Sequence, residues 1–155
     1  MVNIQWNFTF FKDLTVQQLY DVLQLRVDVF VVEQKCAYRD LDEYDRHPET
    51  RHLSGREEGE QLIAYARILP PSLRYPEVNL GRVVVKADFR KQGIGHQLLQ
   101  AALQEISGCW PKTPIRISAQ EYLQAFYSKY GFFRVSEVYL EDGIPHVEMV
   151  KDMKI

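Results

Sequence analysis

The sequence predicts a mixed α/β fold, with helices covering a largely antiparallel sheet and one strand–helix–strand unit at its centre. Three observations carry this reading. The β-branched run Val83-Val84-Val85 leads through a basic glycine turn into a segment with apolar residues at Ile94, Leu98, Ala102 and Ile106. That spacing of four keeps them on one helix face. Two apolar runs, residues 51–56 and 61–69, flank a turn containing Gly59, which is a hairpin pattern. Near the end, Asp142-Gly143 sits between alternating runs, a strong signal for a second hairpin.

The other elements come in chain order. Residues 4–11 alternate loosely and read as a first strand. Leu14 to Leu19 marks a helix start: Thr15 caps it, Gln18 completes a capping box, and Leu14 staples against Leu19. Apolar positions continue through Leu23, Val27 and Phe30, so the helix should end between Val31 and Gln34. Residues 36–50 are polar and acidic without an apolar period and read as a loop. A loop of that length is itself unusual, which leaves room for a further short helix. Its cluster Asp40, Asp42, Glu43 and Asp45 reads either as a solvated loop or as a rim that attracts a cationic amine.

Pro70-Pro71 breaks the second hairpin strand, and residues 71–76 connect to the central strand. The central helix should end near Ser107-Gly108, with Gly108 as its C-terminal glycine. Ile115 to Ala119 alternates as a strand, and Tyr122 to Tyr130 forms a short helix closed by Gly131. The last unit runs from Arg134 to Leu140, turns, and returns from Pro145 to about Met153. The result is six to seven strands and about four helices in one domain, residues 1–155.

Composition narrows the classes. A chain of 155 residues is long enough for one proper core, and 46% hydrophobic with 26% charged residues suits a soluble globular protein. A net charge of −2 offers no electrostatic case for nucleic acid. No apolar run approaches a membrane span, and the N-terminus lacks the pattern of a signal peptide, so a cytoplasmic location without membrane contact is expected. Cys36 and Cys109 show no metal-ligand spacing and read as free thiols. The four histidines form no metal motif, so no metal is expected.

The glycine turn is an anion site in outline. The first N–H groups of a helix lack intrahelical partners, and the aligned dipoles place partial positive charge there. Gly93 and Gly95 allow a tight turn and close approach, and Arg90 and Lys91 add charge. A P-loop is excluded because Gly95-His96-Gln97 replaces Gly-Lys-Ser/Thr. A dinucleotide fingerprint is excluded because Leu98 stands where a third glycine is needed.

What remains, Arg-x-x-Gly-x-Gly from Arg90 to Gly95, resembles the acyl-CoA signature of the Gcn5-related N-acetyltransferases, the GNAT superfamily. A second stretch, Ala125 to Phe132, resembles the family's A-x-F-Y-x-x-x-G-F helix, with tighter spacing before Phe126. The element order matches over essentially the whole chain. Arg26 to Gln34, Ala119-Gln120 and Asp142 to Met149 further resemble the ElaA-like branch.

The resemblance implies the GNAT acyl-CoA N-acyltransferase fold and transfer of acetyl from acetyl-CoA to a primary amine by direct attack in a ternary complex. It implies pyrophosphate contacts from the turn Arg90, Lys91, Gln92, Gly93, Ile94, Gly95 and His96. It also implies a split strand at Val83, Val84 and Val85, along which pantetheine pairs and an N–H faces the thioester carbonyl. Gln120 is placed for a polar contact with CoA or acceptor. Tyr127 takes the role of general acid toward the leaving thiolate, and a phenol with pKa near 10 is well matched to that task.

An alkyl amine is only about one part in 2,500 neutral at pH 7, a deficit of roughly 4–5 kcal/mol, so a base or water relay is wanted. The candidates are His146 and Glu33, with His52 and Asp45 behind them. A small-molecule amine, a peptide N-terminus and a protein lysine all stay open as acceptors, and the resemblance admits a homodimer. Two other readings stand beside this one. The first is an enzyme with another acyl donor, such as an acyl-homoserine lactone synthase, whose early arginine and phenylalanine resemble Arg26 and Phe30. The second is a CoA-sensing module without turnover.

Overall fold

A computed structural model describes residues 2–152. They form an eight-stranded sheet in the order β1-β2-β3-β4-β5-β8-β6, with β7 also paired to β8. The strands are β1 (Ile4–Phe10), β2 (Arg51–Glu57), β3 (Gln61–Leu69), β4 (Val78–Val85), β5 (Ile115–Gln120), β6 (Phe133–Arg134), β7 (Tyr139–Glu141) and β8 (Ile144–Lys151). β4 and β5 run parallel, and the other paired neighbours among the described residues are antiparallel. The eighth strand arises because the Arg134 to Leu140 unit breaks in two, with Val135 N–H donating to Glu148 O across the break. Met153, the expected end of the last strand, lies outside the described residues.

Among the described residues three α-helices, not about four, cover the sheet: α1 (Val16–Arg26), α2 (Ile94–Cys109) and α3 (Gln124–Ser128). The capping box at α1 is present. Gln18 N–H donates to Thr15 Oγ1 at 3.1 Å, and Thr15 N–H donates to Gln18 Oε1 at 3.0 Å. From Val27 to Glu33 the helix continues as a π-helix, a wider form that frequently marks functional sites. Residues 36–50 are a loop as read from sequence, and the room left for a further short helix holds a single 3-10 turn, Glu43–Arg46. Gly108 does not end the central helix; α2 runs through it to Cys109 and is capped at Trp110.

Along β3, Ala64, Ala66 and Ile68 alternate with Tyr65 and Arg67, so the two faces of the sheet are covered separately. On one face they meet Ile94, Leu98, Ala102 and Ile106 of α2, all buried as their spacing predicts. On the other face Leu62, Tyr65 and Val84 meet Val22, Leu25 and Val29 of α1 and its π extension. Each large side chain so buried is worth about 1.5–3 kcal/mol.

Two features of β4 open the sheet along its edge. Val78 and Asn79 pair with Ile115 and Arg116, and beyond them β4 and β5 part. On the other side, Tyr65 opposes Val84 while Arg67 opposes Gly81, so β4 holds one extra residue there. Arg82 sits in this bulge with φ of 51°. The split therefore opens at Leu80, earlier than the Val83 to Val85 stretch expected from sequence.

Candidate active site

The parting strands open a cleft of about 430 Å³. β4 contributes Leu80 to Val83, β5 contributes Ile117 to Gln120, α3 contributes Tyr127, and β8 contributes His146. On this side β4 has lost its strand partner, so its backbone polar groups are free for another extended chain. Val83 lines the cleft, whereas Val84 turns into the core against α1. The carbonyl of Val85 is already engaged by Arg90 Nε at 3.0 Å.

Tyr127 is buried on the cleft wall, edge-on to Phe126 and Phe132 with ring centroids 5.1 and 5.8 Å away. Among the described residues no group hydrogen-bonds its hydroxyl. Burial pushes its pKa above the ordinary phenol value, so it keeps its proton at neutral pH.

The glycine turn has the tight backbone its sequence predicts. Gly93 caps α2 with φ of 77°, a left-handed conformation that glycine adopts without penalty, and nothing lies within 4 Å of where its Cβ would stand. Lys91 also has positive φ, at 65°. His96, in the first turn of α2, bonds through Nδ1 to Tyr130 Oη at 2.7 Å and packs its ring 4.9 Å from Phe126. These contacts fasten the start of α2 to the helix that carries Tyr127.

The sequence suggests separate roles for Arg90 and Glu33, but the two pair with each other. Arg90 donates to the two carboxylate oxygens of Glu33 at 2.5 and 3.0 Å. Glu33 does not line the cleft. His146 does, and it is nearly buried. Its Nδ1–H donates to Ile144 O at 2.7 Å, so in the neutral ring Nε2 carries the lone pair; that Nε2 lies 3.4 Å from Glu141 Oε2. Gln120 stands opposite His146 in the β5–β8 register.

Sequence reasoning missed three neighbours. Ser118 shares a face of β5 with Gln120 and hydrogen-bonds the Tyr139 hydroxyl; its Oγ is also 3.5 Å from Glu141 Oε1. Tyr139 stacks on His146. The strand parity of Ser118 and Gln120 was the available signal, since residues two apart share a face.

Neither reading of the acidic loop holds. Asp40 and Asp45 are buried, and Asp40, Asp42 and Asp45 are taken by arginines, while Glu43 stays exposed beside its neighbour Arg46. Arg26, itself fully buried, donates to Asp40 Oδ2 at 2.8 Å and to Asp45 Oδ1 at 2.7 Å. Arg67 reaches Asp42 at 2.7 Å and Asp45 at 3.0 Å. Arg82 Nη2 donates to the Asp40 carbonyl at 2.9 Å, and its Nε lies 3.0 Å from Asp40 Oδ1, an ion pair too poorly aligned for a hydrogen bond. Burial alone would raise the Asp45 pKa, but Arg26 and Arg67 override it and hold the carboxyl at about 2. His52 donates from Nε2 to Asp45 O at 2.9 Å and accepts the Tyr65 hydroxyl at Nδ1 at 2.6 Å. Burial lowers its pKa, so it is a neutral structural ring behind the loop, as Asp45 is a structural anion.

Residues 14–153 match the family described as an acetyltransferase (GNAT) domain. This chain belongs to the GNAT family. Within the family it falls in the ElaA-like branch: it is 43% identical to protein ElaA of Escherichia coli K12 over 150 residues, covering 97% of each chain. The E. coli ElaA crystal structure superposes with a TM-score of 0.91 over 97% of this chain and 100% of that one. An acyl-CoA N-acyltransferase structure from Pseudomonas aeruginosa is 48% identical, with a TM-score of 0.90 over 96% of this GNAT chain and 99% of that one. Among the described residues no group of three or more His, Cys, Asp or Glu side chains is placed to hold a metal ion, and no helix is long and apolar enough to cross a membrane.

Proposed function

We propose that this GNAT protein transfers an acetyl group from acetyl-CoA to a primary amine, by direct attack within a ternary complex. The observation that carries this reading is the protonated Tyr127 phenol on the wall of a cleft where β4 has lost its strand partner. Pantetheine lies along the free edge of β4 as an added strand, and the pyrophosphate meets the N–H groups at the start of α2 beside Gly93. A β4 N–H facing the cleft stabilises the carbonyl oxygen as it gains charge.

The amine nitrogen forms the new C–N bond and the C–S bond breaks. The Tyr127 proton goes to the leaving sulfur. The amine proton goes to His146 Nε2, the lone-pair nitrogen in the cleft, directly or through water. Glu33 is not the base in this reading, because Arg90 occupies both of its oxygens.

Calorimetric titration of acetyl-CoA into wild type and into Gly93→Asp/Gly95→Asp protein tests the foundation. Micromolar binding by wild type, absent in the double variant, supports the site. A folded wild type that shows no heat at several temperatures removes it.

A further inference from the structure

Four arginines, Arg39, Arg67, Arg74 and Arg82, line the cleft. Two of them are accounted for, since Arg67 and Arg82 are held by the aspartates of the 40–45 segment. Arg39 and Arg74 pair with no carboxylate among the described residues. Arg74 instead lies over two aromatic rings, 6.0 Å from the Tyr44 centroid and 5.4 Å from that of Tyr75. Both rings also line the cleft. A guanidinium stacked on its face keeps its N–H edge free, and that edge matches a carboxylate.

The anion these groups await is not a phosphate of CoA. Arg90 to His96 come after β4 and none of them lines the cleft, whereas Arg74 precedes β4. The strand between them spans roughly 26 Å. Of the carboxylates that line the cleft, Asp42 is taken by Arg67 and Arg82, while Glu141 and Asp142 lie at the other end with His146, where an amine would be welcome. The cleft therefore offers one cationic and one anionic station.

We propose that the acceptor is an amino acid or a related small amine bearing a carboxylate, with Arg74 and Arg39 receiving the carboxylate while the amine faces the thioester. This rests on the acyltransfer reading and deepens it. Polyamines and aminoglycosides, which bring no anion, are disfavoured. So is a lysine side chain of a protein.

The test uses products, so that it needs no turnover. Acetamido acids with one to five methylenes between nitrogen and carboxylate are titrated calorimetrically, each against its matching carboxamide. Titrations are made into CoA-loaded protein and into protein alone. At least one acid should bind CoA-loaded wild type tenfold or more tightly than its amide. In Arg74→Gln, with Arg39→Gln as a second variant, that ratio should fall below about threefold while CoA affinity is unchanged. Equal affinity of acids and amides throughout, including no measurable binding of either, overturns the proposal. So does a preference that survives both substitutions. Failure of acetyl-CoA itself to bind would overturn the acyltransfer reading, and the carboxylate preference would still be read from protein alone.

Discussion

Glu33 and Arg90 face each other as a two-pronged pair, and the Nε of the same Arg90 donates to the carbonyl of Val85. The guanidinium thus ties the end of the π-helix to the exit of β4 just before the glycine turn. Both side chains are more than one-third exposed, at 38% and 41%, so the pair is a brace of modest strength. Glu33→Gln should leave kcat within about threefold and its pH profile unmoved. A general base would lose about 10²–10⁴ in rate. Steady-state rates from pH 6 to 10 distinguish the two.

Tyr127→Phe removes one oxygen from a buried ring that otherwise makes edge-on aromatic contacts. The variant should fold and bind acetyl-CoA within about threefold of wild type, while kcat falls about 10²-fold or more. Because burial raises the Tyr127 pKa above 10, its protonated form persists through pH 10. The wild-type rate should therefore show no alkaline loss from this group below that pH. A loss centred near pH 9 in wild type that disappears in Tyr127→Phe would contradict this assignment.

Asp45 links stability to acid. Its folded pKa of about 2 lies below the ordinary value of 3.8, so it contributes stability above about pH 4. That stability is lost as pH falls toward 2, and the shift corresponds to about 2 kcal/mol. Asp45→Asn should destabilise by about 3–5 kcal/mol at pH 7, since two buried arginines lose their shared partner. It should also flatten the fall in stability between pH 5 and 2. Urea unfolding across that range checks both.

Gly55 pairs with Trp6 across β1 and β2, and a Cβ there would stand 2.4 Å from the indole. Gly55→Ala should cost about 1–3 kcal/mol as the ring is displaced. Trp6→Val/Gly55→Ala should recover part of that loss. Thermal unfolding of the three proteins measures it.

Features set by near neighbours were legible in the sequence. The capping box, the Gly59 and Asp142-Gly143 hairpins and the glycine turn each depend on a few adjacent residues, and each stands where the pattern placed it. The buried face of α2 was equally plain from its period. The acidic loop was not legible because its partners are remote: Arg26 lies 14 and 19 residues from Asp40 and Asp45, and Arg67 and Arg82 come from strands. Charge is visible along a chain, but pairing is a property of the fold. The bulge puts Arg82, and not its neighbour Gly81, in the left-handed conformation, and Ser118, Tyr139 and Glu141 meet only when β5, β7 and β8 lie side by side.

Arg82 occupies the extra residue of β4 in a conformation that side chains avoid, and Asp40 grips it by carbonyl and carboxylate. The 40–45 segment thus works like a wedge driven in beside the strand. The opening between β4 and β5 is held from outside the sheet, by a segment that also binds Arg26 and Arg67. Anyone wishing to widen or narrow the entrance for a different acyl chain would do better to recut that wedge than to alter β4 or β5.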